Sequence, residues 1–383
     1  MTKILTLLLT LFLLVCLFSC SNEQEKTLPS GKILKIGVIG PMSGPDKVLG
    51  QDCLEGIQTV VGLHPLLDNG DTLELLVEDD KNKPELAVKA FIKLVETDKV
   101  AVVIVASSST AALAINSLAD QYKTPTVILL ASHPDISKGT KFISQITFDN
   151  NFQARVAALF VRDELLLERV AVFMNMDSYH SSSLATEFIR KFSSIEGQVS
   201  DVIHISAETV DYGEILSHLR DNDVQLLYLP IAAEHVIEIS KKMVEIKWTP
   251  MAMGGDGLLT RALAQRRDEA HYLEGFYTTD LYSSNVEISM HGEKVAKAFR
   301  TKFKTRGSTF PAIGVEGMAI LRHAINRCED VSDKECINAK LHDTVDFVGI
   351  MGTITIQPSG KVLRPLAVNR IRKGQLEFIV KVY

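Results

Sequence analysis

From residue 33 onward short β-branched apolar runs alternate with longer runs of helical period, and that alternation confines the chain to parallel sheets covered by helices. Strands are predicted over 33–39, 73–77, 100–105 and 126–130, with helices between them near 51–63, 84–97 and 110–122. Pro84 opens the second helix, where a first turn has no N–H to lose. After an apolar run at 142–147 a second series begins, with helices over 152–167, 184–194, 214–220 and 234–247 and strands over 170–173, 202–205, 225–229 and 251–253. The tail differs: helical patterns at 290–305 and 311–328 precede strands at 352–356, 366–372 and 375–380, with Lys373-Gly374 as a hairpin turn. The expected fold class is α/β, two doubly wound Rossmann-like lobes joined by a three-crossing hinge. One lobe takes 32–149 and 281–346, the other 150–280 and 347–383. A chain of 383 residues also exceeds what one hydrophobic core usually fills.

Ahead of the first strand stands Lys3 and then an apolar and hydroxyl run to Phe18, the length of a signal-peptide core rather than a membrane span. It ends Leu17-Phe18-Ser19-Cys20, which resembles a bacterial lipobox, so residues 1–19 are expected to be removed and Cys20 acylated. An ordinary secretory signal is the alternative. Residues 20–31 read as a polar tether. Removing the leader takes away one lysine and leaves 40 basic against 47 acidic residues, a balance that argues against a nucleic-acid partner. Of the remaining cysteines, Cys328 and Cys336 stand close enough in sequence for a disulfide in an oxidising compartment, with Cys53 left as a small buried group.

Open α/β sheets bind ligands beyond the carboxyl ends of their strands, where helix N-termini offer free N–H groups. At the end of the third strand lies Ser107-Ser108-Ser109-Thr110, more hydroxyls than a simple N-cap requires. The fourth strand ends in Ala131-Ser132-His133, which on its own reads as an unremarkable turn. In the second lobe Asp256 sits in Gly254-Gly255-Asp256-Gly257, where the glycines allow close backbone approach and the carboxylate is expected in the cleft. An anion-binding helix end on one lobe and a carboxylate on the other suit a zwitterion, of which an α-amino acid is the simplest.

At these residues the sequence resembles the branched-chain amino acid (Leu/Ile/Val) binding proteins, type I periplasmic-binding folds that deliver solutes to ABC importers. The likeness runs from Ile36-Gly37-Val38-Ile39-Gly40-Pro41-Met42-Ser43-Gly44-Pro45 through Gly50-Gln51 and the serine cluster to Gly352-Thr353-Ile354-Thr355-Ile356. It implies that Ser107, Ala131 and Ser132 hold the ligand's carboxylate and help hold its ammonium, that Asp256 binds the ammonium, and that Tyr179 packs on the ligand. Ser108 and Ser109 complete the expected site. The resemblance also implies an ABC permease as partner. Departures are Leu49 and Ala232, where aromatic residues are common, and Ala106, which removes the partner of a family disulfide at Cys53.

An enzyme is the first rival, but no Gly-x-Ser-x-Gly, His-Glu-x-x-His, Cys-x-x-Cys or Gly-x-Gly-x-x-Gly motif occurs, and no cofactor is implied. Paired carboxylates such as Asp79-Asp80 suggest acid–base work, yet neighbours on a strand end point apart. The second rival keeps the fold and makes the chain a sensor or an envelope-protein-binding lipoprotein.

Overall fold

The computed structural model describes residues 31–206, 211–281, 293–303 and 309–383. The leader, Cys20 and nearly all of the tether lie outside the described residues, as does the start of the helix expected at 290. Five parallel strands form the first sheet: β1 (Ile33–Gly40), β2 (Thr72–Asp79), β3 (Val102–Val105), β4 (Thr126–Ile128) and β5 (Ile143–Gln145). Their order is β2-β1-β3-β4-β5. Every residue of the central β3 is buried, which is why Val-Val-Ile-Val is a continuous apolar run rather than an alternating one.

Helices α1 (Lys47–Leu63), α2 (Pro84–Ile92), α3 (Ser109–Leu113) and α4 (Asn116–Gln121) connect these strands. The single helix expected over 110–122 is therefore two short ones. The second sheet holds parallel strands β6 (Arg169–Asn175), β7 (Gln198–Ile205), β8 (Leu226–Leu229), β9 (Met251–Gly254) and β10 (Tyr277–Asp280). Its helices are α5 (Asn150–Leu159), α6 (Tyr179–Ser194), α7 (Tyr212–Asp221), α8 (Ala233–Glu245) and α9 (Leu258–Gln265).

The tail contributes α10 (Glu293–Phe303), α11 (Thr309–Ile325) and α12 (Lys334–His342), then β11 (Phe347–Gly349), β12 (Gly352–Ile356), β13 (Val362–Leu363), β14 (Leu366–Arg372) and β15 (Gln375–Val382). The last two add antiparallel strands to the second sheet, giving β15-β14-β10-β9-β8-β6-β7, while β11, β12 and β13 form a small third sheet.

Helix α11 returns to the first lobe and packs on α1 at backbone contact. A Cβ on Gly56 would stand 2.2 Å from the Pro311 carbonyl oxygen, and one on Gly314 would stand 2.1 Å from that of Cys53, so both positions exclude any other residue. Cys53 is buried beneath this crossing as a free thiol, and burial pushes it well above its usual range. Cys328 and Cys336 form a disulfide between the end of α11 and α12, their Cα atoms 6.0 Å apart.

Beside the small sheet a buried ion pair joins Glu316 of α11 to Arg364, with 2.8 Å between carboxylate and guanidinium. The same guanidinium donates to the Ile146 carbonyl (2.8 Å), and Glu316 accepts the Met351 N–H (3.2 Å). Three separate segments are thus tied together where the chain leaves the first sheet and where it re-enters the second.

Candidate functional site

Strand order reverses at β1/β3 in the first sheet and at β6/β8 in the second, and a crevice opens at the carboxyl end of each such point. The two crevices face one another across a cavity of about 250 Å³. Asp46, Leu49, Asn82, Ser108 and Thr110 line it from the first lobe; Asn175, Ser178, His180, Pro230, Ala232 and Arg261 line it from the second. The lobes are closed upon it. Tyr179 N–H reaches Thr110 Oγ1 (3.4 Å), Ser132 Oγ meets His180 Nδ1 (3.0 Å), and Gln265 Nε2 donates to the Pro45 carbonyl (3.2 Å).

The first-lobe wall is built by two adjacent carboxylates with separate tasks. Asp79 accepts from the Met42 N–H (2.8 Å), the Ser43 hydroxyl (2.6 Å) and the Lys81 N–H (3.0 Å), which fixes the loop after β1. Burial works to raise its carboxyl, but the hydrogen bonds from Ser43, Met42 and Lys81 outweigh it and hold Asp79 below its ordinary range. Asp80 is fully buried and accepts the Ser107 hydroxyl and the Asn82 N–H (2.8 Å). Here burial wins, so the carboxyl lies above its usual range, with Asp79 adding to the effect and Ser107 and Asn82 opposing it. This pair is loop scaffolding and not a pair of facing catalytic acids.

The expected site residues divide accordingly. Ser107 is buried and its hydroxyl is committed to Asp80. Ser108 lines the cavity and donates its N–H to Asn82 (2.9 Å), whose amide in turn donates to Asp46 (2.8 Å). Ser109 Oγ accepts from the N–H groups of Ser132 and His133, both at 3.2 Å, and so joins the loops after β3 and β4. Ala131 is buried, with its carbonyl accepting from Gln145 (3.2 Å). Tyr179 is half exposed at the cleft mouth, its ring centroid 6.0 Å from that of His133.

Asp256 stands behind His180 rather than on the cavity wall: its Oδ1 accepts from Gln153 (2.8 Å) and lies 3.5 Å from His180 Nε2. Ser132, His180 and Asp256 therefore form a row of hydroxyl, imidazole and carboxylate across the cleft. Burial pushes His180 below the ordinary histidine range; Asp256 opposes that, and Arg261 and His133 add to it. A neutral ring protonated on Nε2 satisfies both neighbours, accepting the Ser132 hydroxyl on Nδ1 and turning its N–H toward Asp256. Ser132 is fully buried, and this row ties the lobes together.

His180, Arg261 and Gln153 were not among the residues singled out from sequence. His180 directly follows Tyr179, and that adjacency was the available cue. Arg261 and Gln153 lie inside helical patterns and carried no local signal. Among the described residues no cluster of three or more His, Cys, Asp or Glu is placed to hold a metal ion, and no helix is long and apolar enough to cross a membrane.

Two doubly wound lobes closed on a small polar cavity define a solute-binding protein. The chain belongs to the periplasmic binding protein family, whose model matches residues 33–375. It is similar to the Leu/Ile/Val-binding protein BraC3 of Rhizobium johnstonii, 23% identical over 333 residues that cover 85% of this chain and 88% of the relative. Among solved structures, the leucine binding protein LivK of Thermotoga maritima matches with a TM-score of 0.84 and 26% identity, covering 91% of this chain and 98% of that one. An ABC transporter solute binding protein of Rhodopseudomonas palustris in complex with 3,4-dihydroxy benzoic acid matches with a TM-score of 0.79 at 18% identity, covering 91% and 97%.

Proposed function

We propose that this chain is an extracytoplasmic receptor, anchored through an acylated Cys20, that closes on a small carboxylate-bearing solute, foremost a zwitterionic amino acid, and presents it to an ABC permease. The observation that carries the reading is the cavity between the two switch points, lined from both lobes by hydroxyl, amide and guanidinium donors. The names of the relatives favour amino acids, and the bound 3,4-dihydroxy benzoic acid extends the class to other small carboxylates. Closure is a hinge motion through three crossings near 149–151, 278–281 and 346–349.

A thermal-shift screen of the full-length protein against the twenty amino acids, benzoate and short aliphatic acids tests this function. Ligand at a hundred times its dissociation constant adds about 2.7 kcal/mol by mass action, a rise of roughly 3 to 4 °C for a chain of this size. No rise with any member refutes the solute-binding reading. Labelled palmitate that enters wild type and Cys20→Ser equally refutes the anchor.

A further inference from the structure

The side chain of Arg261 in α9 faces the cavity and makes no hydrogen bond or ion pair with any described residue. Its Nε is buried without a partner, and its guanidinium stands 5.7 Å from the Phe310 ring, stacked against α11 of the opposite lobe. The helix that carries it is set by Gly257, whose φ of +70° and whose Cβ position, 2.7 Å from the Phe310 ring, admit only glycine. A partly buried guanidinium without an anion is unfavourable, and its rigid fork of donors matches a carboxylate two oxygens at a time.

No acid of the wall neutralises it. Asp46 is engaged by Asn82, Asp177 is exposed, and neither pairs with Arg261. Asp256 is separated from the cavity by His180. The donors expected on the first lobe are reduced as well, since the Ser107 hydroxyl is committed to a buried carboxylate.

We propose that Arg261 is the carboxylate anchor of the cleft: the ligand's carboxylate is held from the second lobe, and an ammonium group on the ligand is not required. This rests on the solute-binding reading and specifies its ligand as a small monocarboxylate. An amino acid is then recognised by its acid end, with its ammonium contributing little.

The test is calorimetry on the full-length protein with three probes: L-leucine, 4-methylpentanoate, which lacks the ammonium, and L-leucinamide, which lacks the carboxylate. Wild type is expected to bind the first two within about tenfold of each other and leucinamide at least about a hundredfold more weakly. Arg261→Gln should weaken both carboxylates by about thirtyfold or more, the loss typical of a buried charge partner, while Arg261→Lys recovers part of it. Leucinamide binding as tightly as leucine, or Arg261→Gln binding leucine as wild type does, overturns the assignment while leaving the solute-binding reading intact. Failure of all three probes, together with an empty thermal-shift screen, overturns both. Should Arg261→Gln fail to fold, the order of the three probes on wild type still decides.

Discussion

Replacing Glu316 by glutamine should leave Arg364 charged, fully buried and without its counter-ion. Neither side chain of this pair has any solvent exposure, and the guanidinium has two nitrogens, Nε and Nη2, without a hydrogen-bond partner, so water offers no compensation. Burial raises the Glu316 carboxyl, with Arg364 pulling it back, as expected of a pair whose attraction only partly offsets its desolvation. Losing one member of such a pair costs about 3 to 5 kcal/mol, whereas replacing both by apolar groups of similar volume is near neutral. For a chain of this size 3 kcal/mol corresponds to a fall in melting temperature of roughly 4 °C. Glu316→Gln, Arg364→Met and the double variant Glu316→Leu with Arg364→Met should be compared by thermal and urea unfolding. Each single variant should show the full loss, and the double variant should recover most of it. A single loss below about 1 kcal/mol, or a double loss equal to the sum of the singles, refutes the reasoning.

The closed cleft should open in acid. With His180 held below its ordinary value when buried, the open state binds the extra proton first, so the contribution of the closed, neutral ring is complete above about pH 6.5 and is lost as pH falls below it. Scattering of the ligand-free protein should show expansion from pH 7.5 to 5.5 in wild type but not in His180→Gln, and parallel profiles would exclude His180 as the cause. Reducing the Cys328–Cys336 bridge, which closes a loop of sequence separation 8, should cost about 2 to 3 kcal/mol by the loop-entropy relation. An unchanged urea midpoint after verified reduction would contradict it.

The doubly wound pattern was legible because buried parallel strands are continuous apolar runs: Val102–Val105 and Leu226–Leu229 stand out without any partner being known. The helical period of α6 shows in sequence only from Leu184 although the helix starts at Tyr179, since Ser178 caps it by accepting the Ser181 N–H (3.3 Å) and the polar first turn hides the period. The predicted helix over 110–122 is interrupted between Leu113 and Asn116, where no proline or glycine marked a break. Strand β10 is hidden in the sequence because Tyr-Thr-Thr-Asp looks like a polar linker; its threonines are buried where Gln153 and the Gly255 carbonyl meet them at 2.8 and 2.6 Å.

The site was harder to read than the fold for a related reason: a polar residue's role depends on which side chain lies opposite, and sequence position does not give that. Ser107, Ser108 and Ser109 are neighbours with the same hydroxyl, yet the first holds Asp80, the second lines the cavity and the third joins two loops. Asp80 decides the matter for Ser107, because a fully buried carboxylate must be hydrogen-bonded, and the nearest hydroxyl cannot serve it and a ligand anion at once. The first lobe then meets the cavity chiefly with neutral donors and with Asp46, already engaged by Asn82, while the unpaired charge comes from Arg261 on the second. Closure brings that charge 5.7 Å from the Phe310 ring of the other lobe, so the guanidinium left to meet an anion stands where the two lobes meet.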